Sequence, residues 1–250
     1  ANENASAVGY GNNAGGVASS AFGFSNVAKV DYASAFGYSN EASGLASSAV
    51  GFRNKAASEN ASAVGYGNNA NALAASAVGY NNTAGGVGSS TIGYNNTATN
   101  ENASAFGYGN TAGGLASSAF GFSNTASGDN ANAFGYNNIA GGSKSNVFGT
   151  GNTVSGSSST AVGTSNEVAA ENSTAIGNNN TISSGAENSA ALGNNISISL
   201  KDSVALGNNS TATAINSVTG NSSYTKWAGV SDVVGVVSVG SSGATRQIQN

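Results

Sequence analysis

A glycine recurs on a 14-residue clock. From Gly9 to Gly177 it returns at every fourteenth position, then after 16 residues at Gly193 and after 14 more at Gly207. An unbroken period of this length requires one structural unit stacked on copies of itself. Fourteen residues are too few for a helix-turn-helix repeat, and the chain is too poor in Leu, Glu, Lys and Arg for a coiled coil. Two short strands, each followed by a turn, fit the length. The residue before the glycine is apolar in all fifteen repeats, from Val8 and Phe22 to Leu192 and Leu206. Most of these are β-branched or aromatic, as a pleated surface favours. The residue before that is Ala in thirteen repeats, the exceptions being Thr91 and Val147.

Successive side chains on a strand point to opposite faces, so the bulky residue and the Ala lie on different sides. The pattern predicts a strand buried on both faces, one inside the coil and one against a neighbour. A second apolar position five residues after the glycine marks a second strand: Ala14, Ala28, Ala42 and onwards to Val154, Val168, Ile182 and Ile198. Asn stands three residues after the glycine in thirteen of fifteen repeats, from Asn12 to Asn180. Asn tolerates left-handed backbone angles and can bond its own turn, so it reads as a turn residue. Stacked at ~4.8 Å per coil, the repeats would build a rod of about 70 Å.

Equivalent positions then form ladders. Directly after the glycine come ten consecutive aromatics: Tyr10, Phe24, Tyr38, Phe52, Tyr66, Tyr80, Tyr94, Tyr108, Phe122 and Tyr136. Thr150, Thr164, Asn178, Asn194 and Asn208 continue the column. Such a ladder serves either as structural stacking or as a recognition stripe, since Tyr is favoured at both. Eight residues after the glycine, Val17, Asp31, Leu45, Glu59, Leu73, Val87, Glu101, Leu115 and Asp129 follow one another. A site that accepts both Leu and Glu is expected at the solvent edge. Near-copies such as Asn2–Ser6 and Asn100–Ser104 point to duplication within the chain.

Composition limits the function. Seven basic and eleven acidic residues give a net charge of −4, with no run of either sign. Without a basic stripe, nucleic-acid binding is not expected. With no His or Cys, and with carboxylates occurring singly, neither catalysis nor a cofactor or metal site is expected. Four Asp residues at 31, 129, 202 and 232 do not supply the periodic Asp of calcium-binding nonapeptides. No segment approaches 18 apolar residues, so the chain is not expected to insert in a membrane or to carry a signal peptide. Lys29-Val30-Asp31-Tyr32 and Arg53-Asn54-Lys55 break the neutral monotony and are the natural places for an oriented polar contact. Isolated surface charges ordinarily contribute only to solubility. The Asn-x-Ser/Thr triplets, such as Asn4-Ala5-Ser6, follow from the repeat composition. An ice-binding solenoid would need a flat Thr-x-Thr ladder, and only Thr97-Ala98-Thr99 and Thr211-Ala212-Thr213 occur.

After Ala214 the period ends. The single Trp lies in Lys226-Trp227-Ala228-Gly229, and Val233–Gly240 is the most apolar stretch, suited to a strand with few exposed faces. This tail reads as a cap or adaptor for the last coil.

Fifteen apolar-Gly repeats in register, seven of them in the full form Ser-x-Ala-apolar-Gly, followed by Val236-Val237-Ser238-Val239-Gly240 and Arg246-Gln247-Ile248, resemble the head and neck of YadA-like trimeric autotransporter adhesins. Trp227 stands where longer necks of that family carry Phe. The resemblance implies an all-β, left-handed parallel β-roll, a side-by-side homotrimer, a head at 1–214 and a neck at 215–250. It also implies a coiled-coil stalk and an outer-membrane anchor beyond Asn250, on a bacterial cell surface. Trimerisation has support of its own: a 14-residue coil encloses little core, and its bulky face needs a partner surface. The implied function is adhesion to a host protein, either a CEACAM-type receptor or a matrix protein such as collagen. A self-associating surface fibre is the alternative. Candidate contact residues are Tyr10, Phe24, Tyr38, Phe52, Tyr66, Tyr80, Lys29, Tyr32, Arg53 and Lys55. The aromatic column itself departs from the plainer repeats of that family.

Overall fold

The computed structural model describes residues 2–214 and 235–241. It is an all-β parallel solenoid in which every repeat is one coil, and it divides into two compact units, 1–137 and 138–250. Each coil holds a long strand of five residues, such as Ser62–Tyr66, and a short strand of two, such as Asn69–Ala70. Only the long strand of the fifteenth coil is shorter, at Val204–Leu206.

Within the first unit, long strands pair in parallel at a constant offset of one repeat. Ser62 faces Ser76, Val64 faces Val78, Gly65 faces Gly79 and Tyr66 faces Tyr80. The short strands pair likewise, with Thr83 against Thr97 and Ala84 against Ala98. The second unit repeats the scheme, with Ala161 against Ala175 and Val168 against Ile182. Its 16-residue step keeps register, because Ile176 still faces Leu192. The two extra residues are absorbed in the turn through Ser183-Ser184-Gly185, as expected of a longer turn, and a Cβ on Gly185 would meet nothing within 4 Å.

The interior is narrow and largely alanine. Ala21, Ala35 and Ala49 from long strands meet Ala28, Ala42 and Ala56 from short strands, all fully buried. In the second unit this interior takes larger residues, Val147, Val154, Val168, Ile182 and Ile198. Small side chains let the two sheets of a coil approach closely, which a 14-residue circuit demands.

One expectation needs correction here. The asparagine three residues after the glycine is not the left-handed residue of its turn. That conformation falls one position earlier, at Ser25, Ser39, Arg53, Asn81 and Asn95, with φ between 52° and 54°, and again nine residues after the glycine. The asparagine itself is buried and forms a ladder. Asn40 Nδ2 lies 3.0 Å from Asn26 Oδ1, 2.9 Å from the Phe36 carbonyl and 2.7 Å from the Gly51 carbonyl. Its backbone N–H also donates to Asn26 Oδ1, at 3.1 Å. A polar side chain inside a thin core is tolerable only when so fully paired. The sequence reading saw a residue that can bond a turn; the stacking makes the same bonds reach across coils.

Burial of the long strand follows the expected division into an inner face and a face left for a neighbour. The alanine face of the long strand is buried, but the bulky face is not covered by the chain itself. Val64 and Val50 retain 37% exposure, and Ile92 and Ile176 are likewise exposed.

The repeating glycine has a concrete cause. At Gly65, φ is +120°, and an ideal Cβ would stand 2.1 Å from the carbonyl oxygen of Gly79 in the next coil. Any side chain there would collide with backbone that the ladder asparagine needs as an acceptor, since Asn68 Nδ2 lies 2.7 Å from that oxygen.

Residues 235–241 return to the last coil. Val237–Ser238 pairs in parallel with Val204 and Ala205, and Thr211 N–H donates to the Gly240 carbonyl at 3.0 Å. Val237 is 72% exposed while Val236 and Val239 are half-buried, and Val233 and Val234 of that apolar run lie outside the described residues. Trp227 and the Arg246-Gln247-Ile248 signature lie outside the described residues.

Candidate functional site

Alternation on the long strand decides what the molecule presents. In Ser62-Ala63-Val64-Gly65-Tyr66, Val64 and Tyr66 are exposed and Ser62 is half-buried, while Ala63 is buried. The outer face of the first unit therefore carries three parallel columns: a hydroxyl column, a bulky apolar column and the aromatic column. The sequence reading set one face of the strand against a neighbour and did not place the bulky column beside the aromatics.

The aromatic column is continuous from Tyr10 to Tyr136. Neighbouring ring centroids lie 4.7 to 5.2 Å apart, with interplanar angles from 2° to 17°. That spacing is the pitch of the coils, so the sheet itself imposes the stack. Of the two uses posed for the ladder, the stacking is present. The rings stack on one another, and their edges remain open: Tyr38, Tyr66 and Tyr80 are 40–43% exposed. Shorter stacks run in the bulky column, Phe22 on Phe36 and Phe106 on Phe120 on Phe134.

The ten candidate contact residues do not form one site. Tyr10, Phe24, Tyr38, Phe52, Tyr66 and Tyr80 stand in the aromatic column, and Arg53 joins them, with its guanidinium carbon 5.1 Å from the centre of the Phe52 ring. Lys55 lies on the short-strand face, where its Nζ is 3.9 Å from Glu41 Oε2 in a half-exposed pair. Lys29 follows the short strand Val27–Ala28, and Tyr32 occupies the left-handed corner nine residues after Gly23, with φ 61°. Asp31, beside it, uses Oδ1 to accept the Val17 N–H at 2.7 Å, which ties one coil to the previous one. The same bond recurs from Leu115 N–H to Asp129. The expected solvent edge is confirmed, because Leu45, Leu73 and Leu115 are exposed at these turns.

The second unit replaces aromatics with amides. Asn178 Nδ2 donates to Asn194 Oδ1 at 2.8 Å, and Asn194 Nδ2 donates to Asn208 Oδ1 at 2.9 Å. This is a surface counterpart of the buried ladder, and it gives that end of the chain a polar face.

Among the described residues no group of three or more His, Cys, Asp or Glu side chains is placed to hold a metal ion. Comparison with known families accounts for the pattern. The family model for the YadA head domain repeat matches residues 14–40, 31–54, 42–68, 84–110, 112–138, 155–180 and 201–218, more than half of the chain. The chain belongs to the YadA head repeat family. YadA-type repeats of this kind make an adhesin-type, surface-exposed domain of a bacterium, and the β-solenoid seen here agrees with that class. No curated protein matches the chain.

Proposed function

We propose that this chain is the head of a homotrimeric bacterial adhesin that holds a host protein along its aromatic column. The observation that carries the reading is the ten-ring stack, regular in pitch and open along its edge. On this reading three left-handed coils lie side by side, with the bulky apolar column of each turned towards the others. Burying that column removes apolar surface from water at about 25 cal/mol per Å², a gain the single chain forgoes. The aromatic column stands two residues further along each strand, roughly 7 Å away, and rims the groove between copies. Tyr supplies broad, rigid contact area with a hydroxyl at its tip, the combination that protein-binding surfaces favour. Repetition along three copies converts weak single contacts into avidity.

The head would span 1–214 and the neck 215–250, leading to a stalk and an outer-membrane anchor. The partner class is a CEACAM-type receptor or a matrix protein such as collagen. The test is biolayer interferometry of the purified head against collagens, fibronectin, laminin and CEACAM ectodomains. The expected result is saturable binding to one class, lost in a Tyr38→Ser, Tyr66→Ser, Tyr80→Ser variant that keeps its fold. Silence across the panel, with self-association of the intact head, would favour a surface fibre without a host receptor.

A further inference from the structure

We propose that the two left-handed corners of the coil form an acceptor array for asparagine-linked sugars. In each coil one such corner follows the aromatic position and the other precedes the long strand. At the first corner Asn81, Asn95, Asn179, Asn195 and Asn209 each begin an Asn-x-Ser/Thr triplet, the minimal acceptor for N-linked glycosylation. At the second corner Asn4, Asn60, Asn102 and Asn172 do the same. All nine are exposed and have φ between 52° and 59°.

The geometry separates these asparagines from the rest. None of the thirteen ladder asparagines begins a triplet, because two residues further on lies the inward Ala, Val or Ile of the short strand. At the corners the phase is shifted by one. The middle residue of the triplet turns inward, as Ala61, Ala103, Asn82, Asn96 and Ile196 do, and the hydroxyl residue points out again. Asparagine and hydroxyl therefore share the outer surface, which is what a transferase must read. The corner does not require asparagine for its backbone, since Ala18, Ala46, Ser25 and Gly67 occupy equivalent corners. Where asparagine is present, its amide is engaged only by surface partners. Asn81 Nδ2 donates to Asn95 Oδ1 at 3.2 Å, and Asn179 Nδ2 donates to Asn195 Oδ1 at 2.9 Å. Asn95 and Asn195 are held there through their oxygens.

The co-substrate is a nucleoside-diphosphate hexose, handled by a separate transferase. Asn Nδ2 forms a bond to the anomeric carbon, the bond from that carbon to the diphosphate oxygen breaks, and Nδ2 gives up one proton to solvent. The nucleoside diphosphate leaves with the electron pair, and nothing is oxidised or reduced. Sugars on Asn179, Asn195 and Asn209, one coil apart, would lie at the ~4.8 Å pitch of the solenoid. Those on Asn81 and Asn95 would stand directly beside Tyr80 and Tyr94, so occupancy there would narrow access to the aromatic column.

The test incubates the folded protein with a soluble asparagine-specific hexosyltransferase and UDP-glucose, then maps peptides by mass spectrometry. Hexose is expected on Asn95, Asn102 and Asn195, none on ladder asparagines such as Asn96 and Asn110, and the thermal melt is unchanged. Asn95→Gln should remove one hexose, and Thr97→Val should remove the same one with Asn95 intact. If the folded protein takes no hexose at any corner while a free peptide of residues 92–104 is modified in the same tube, the array is refuted. Corner asparagines found wholly unmodified in protein stripped from the surface of the cell that makes it would refute it equally.

Discussion

Replacing Asn96 with Ala probes the buried amide ladder. Asn96 Oδ1 accepts the backbone N–H of Asn110 at 2.9 Å and its Nδ2 at 3.0 Å. Asn96 Nδ2 in turn lies 3.0 Å from Asn82 Oδ1, 3.1 Å from the Ile92 carbonyl and 2.8 Å from the Gly107 carbonyl. Alanine removes all five contacts at once and leaves a small void. The Asn110 N–H loses its acceptor and the Gly107 carbonyl loses its side-chain donor. At about 1–3 kcal/mol for each buried group so deprived, the loss is ~2–6 kcal/mol. The adjacent residue is a control of the same type. Asn95 is exposed at φ 54°, where glycine is equally at ease, so Asn95→Gly should stay within about 0.5 kcal/mol of the parent. Guanidinium unfolding followed by far-UV circular dichroism reads both. Equal, small shifts in the two variants would refute the claim that the ladder stabilises the coil.

Other perturbations separate the remaining forces. Gly79→Ala places a Cβ 2.1 Å from the Gly93 carbonyl oxygen at φ +120°, and combined strain and overpacking should cost roughly 2–6 kcal/mol in the same assay. Tyr66→Ser removes stacks on Phe52 at 4.8 Å and on Tyr80 at 4.7 Å, for an expected loss of about 1–3 kcal/mol measured by thermal melting. Lys55→Ala breaks only a half-exposed pair with Glu41 and should change stability by less than ~1 kcal/mol, with little response to added salt.

Much of this architecture was legible because the repeat leaves few degrees of freedom. The glycine clock gave the coil, and the Ala-apolar pair gave opposite strand faces, both of which the pairing of Ala63-Val64-Gly65 with Ala77-Val78-Gly79 confirms. The position of Asn40 in its turn was legible, but its role was not. A single repeat shows an asparagine able to bond its own backbone, and only the stack reveals that its oxygen serves the next coil. The left-handed corner was missed by one residue because Ser, Arg, Gly and Asn all occupy it, which hides any sequence preference. Alternation put Val64 opposite Ala63, yet it could not say that Ala63 alone faces the interior. That depends on how little room a 14-residue circuit encloses. Among the contact candidates, the aromatic column came through as a unit because stacking is set by the period. Lys29, Tyr32 and Lys55 were singled out because their segments carry charge in a nearly neutral chain, and the coil carries them to other turns and faces than the aromatic column.

The central claim is that the bulky outer column of the long strands is an association surface. The direct measurement is the solution mass of the purified chain by light scattering, beside a Val64→Asp, Val78→Asp variant. The account predicts three times the 24.0 kDa chain mass for the parent. It predicts a single-chain mass for the variant, with the β-rich circular dichroism retained, because Val64 is already partly exposed within one chain. A monomeric parent, or a variant that keeps the parent's mass, would contradict it.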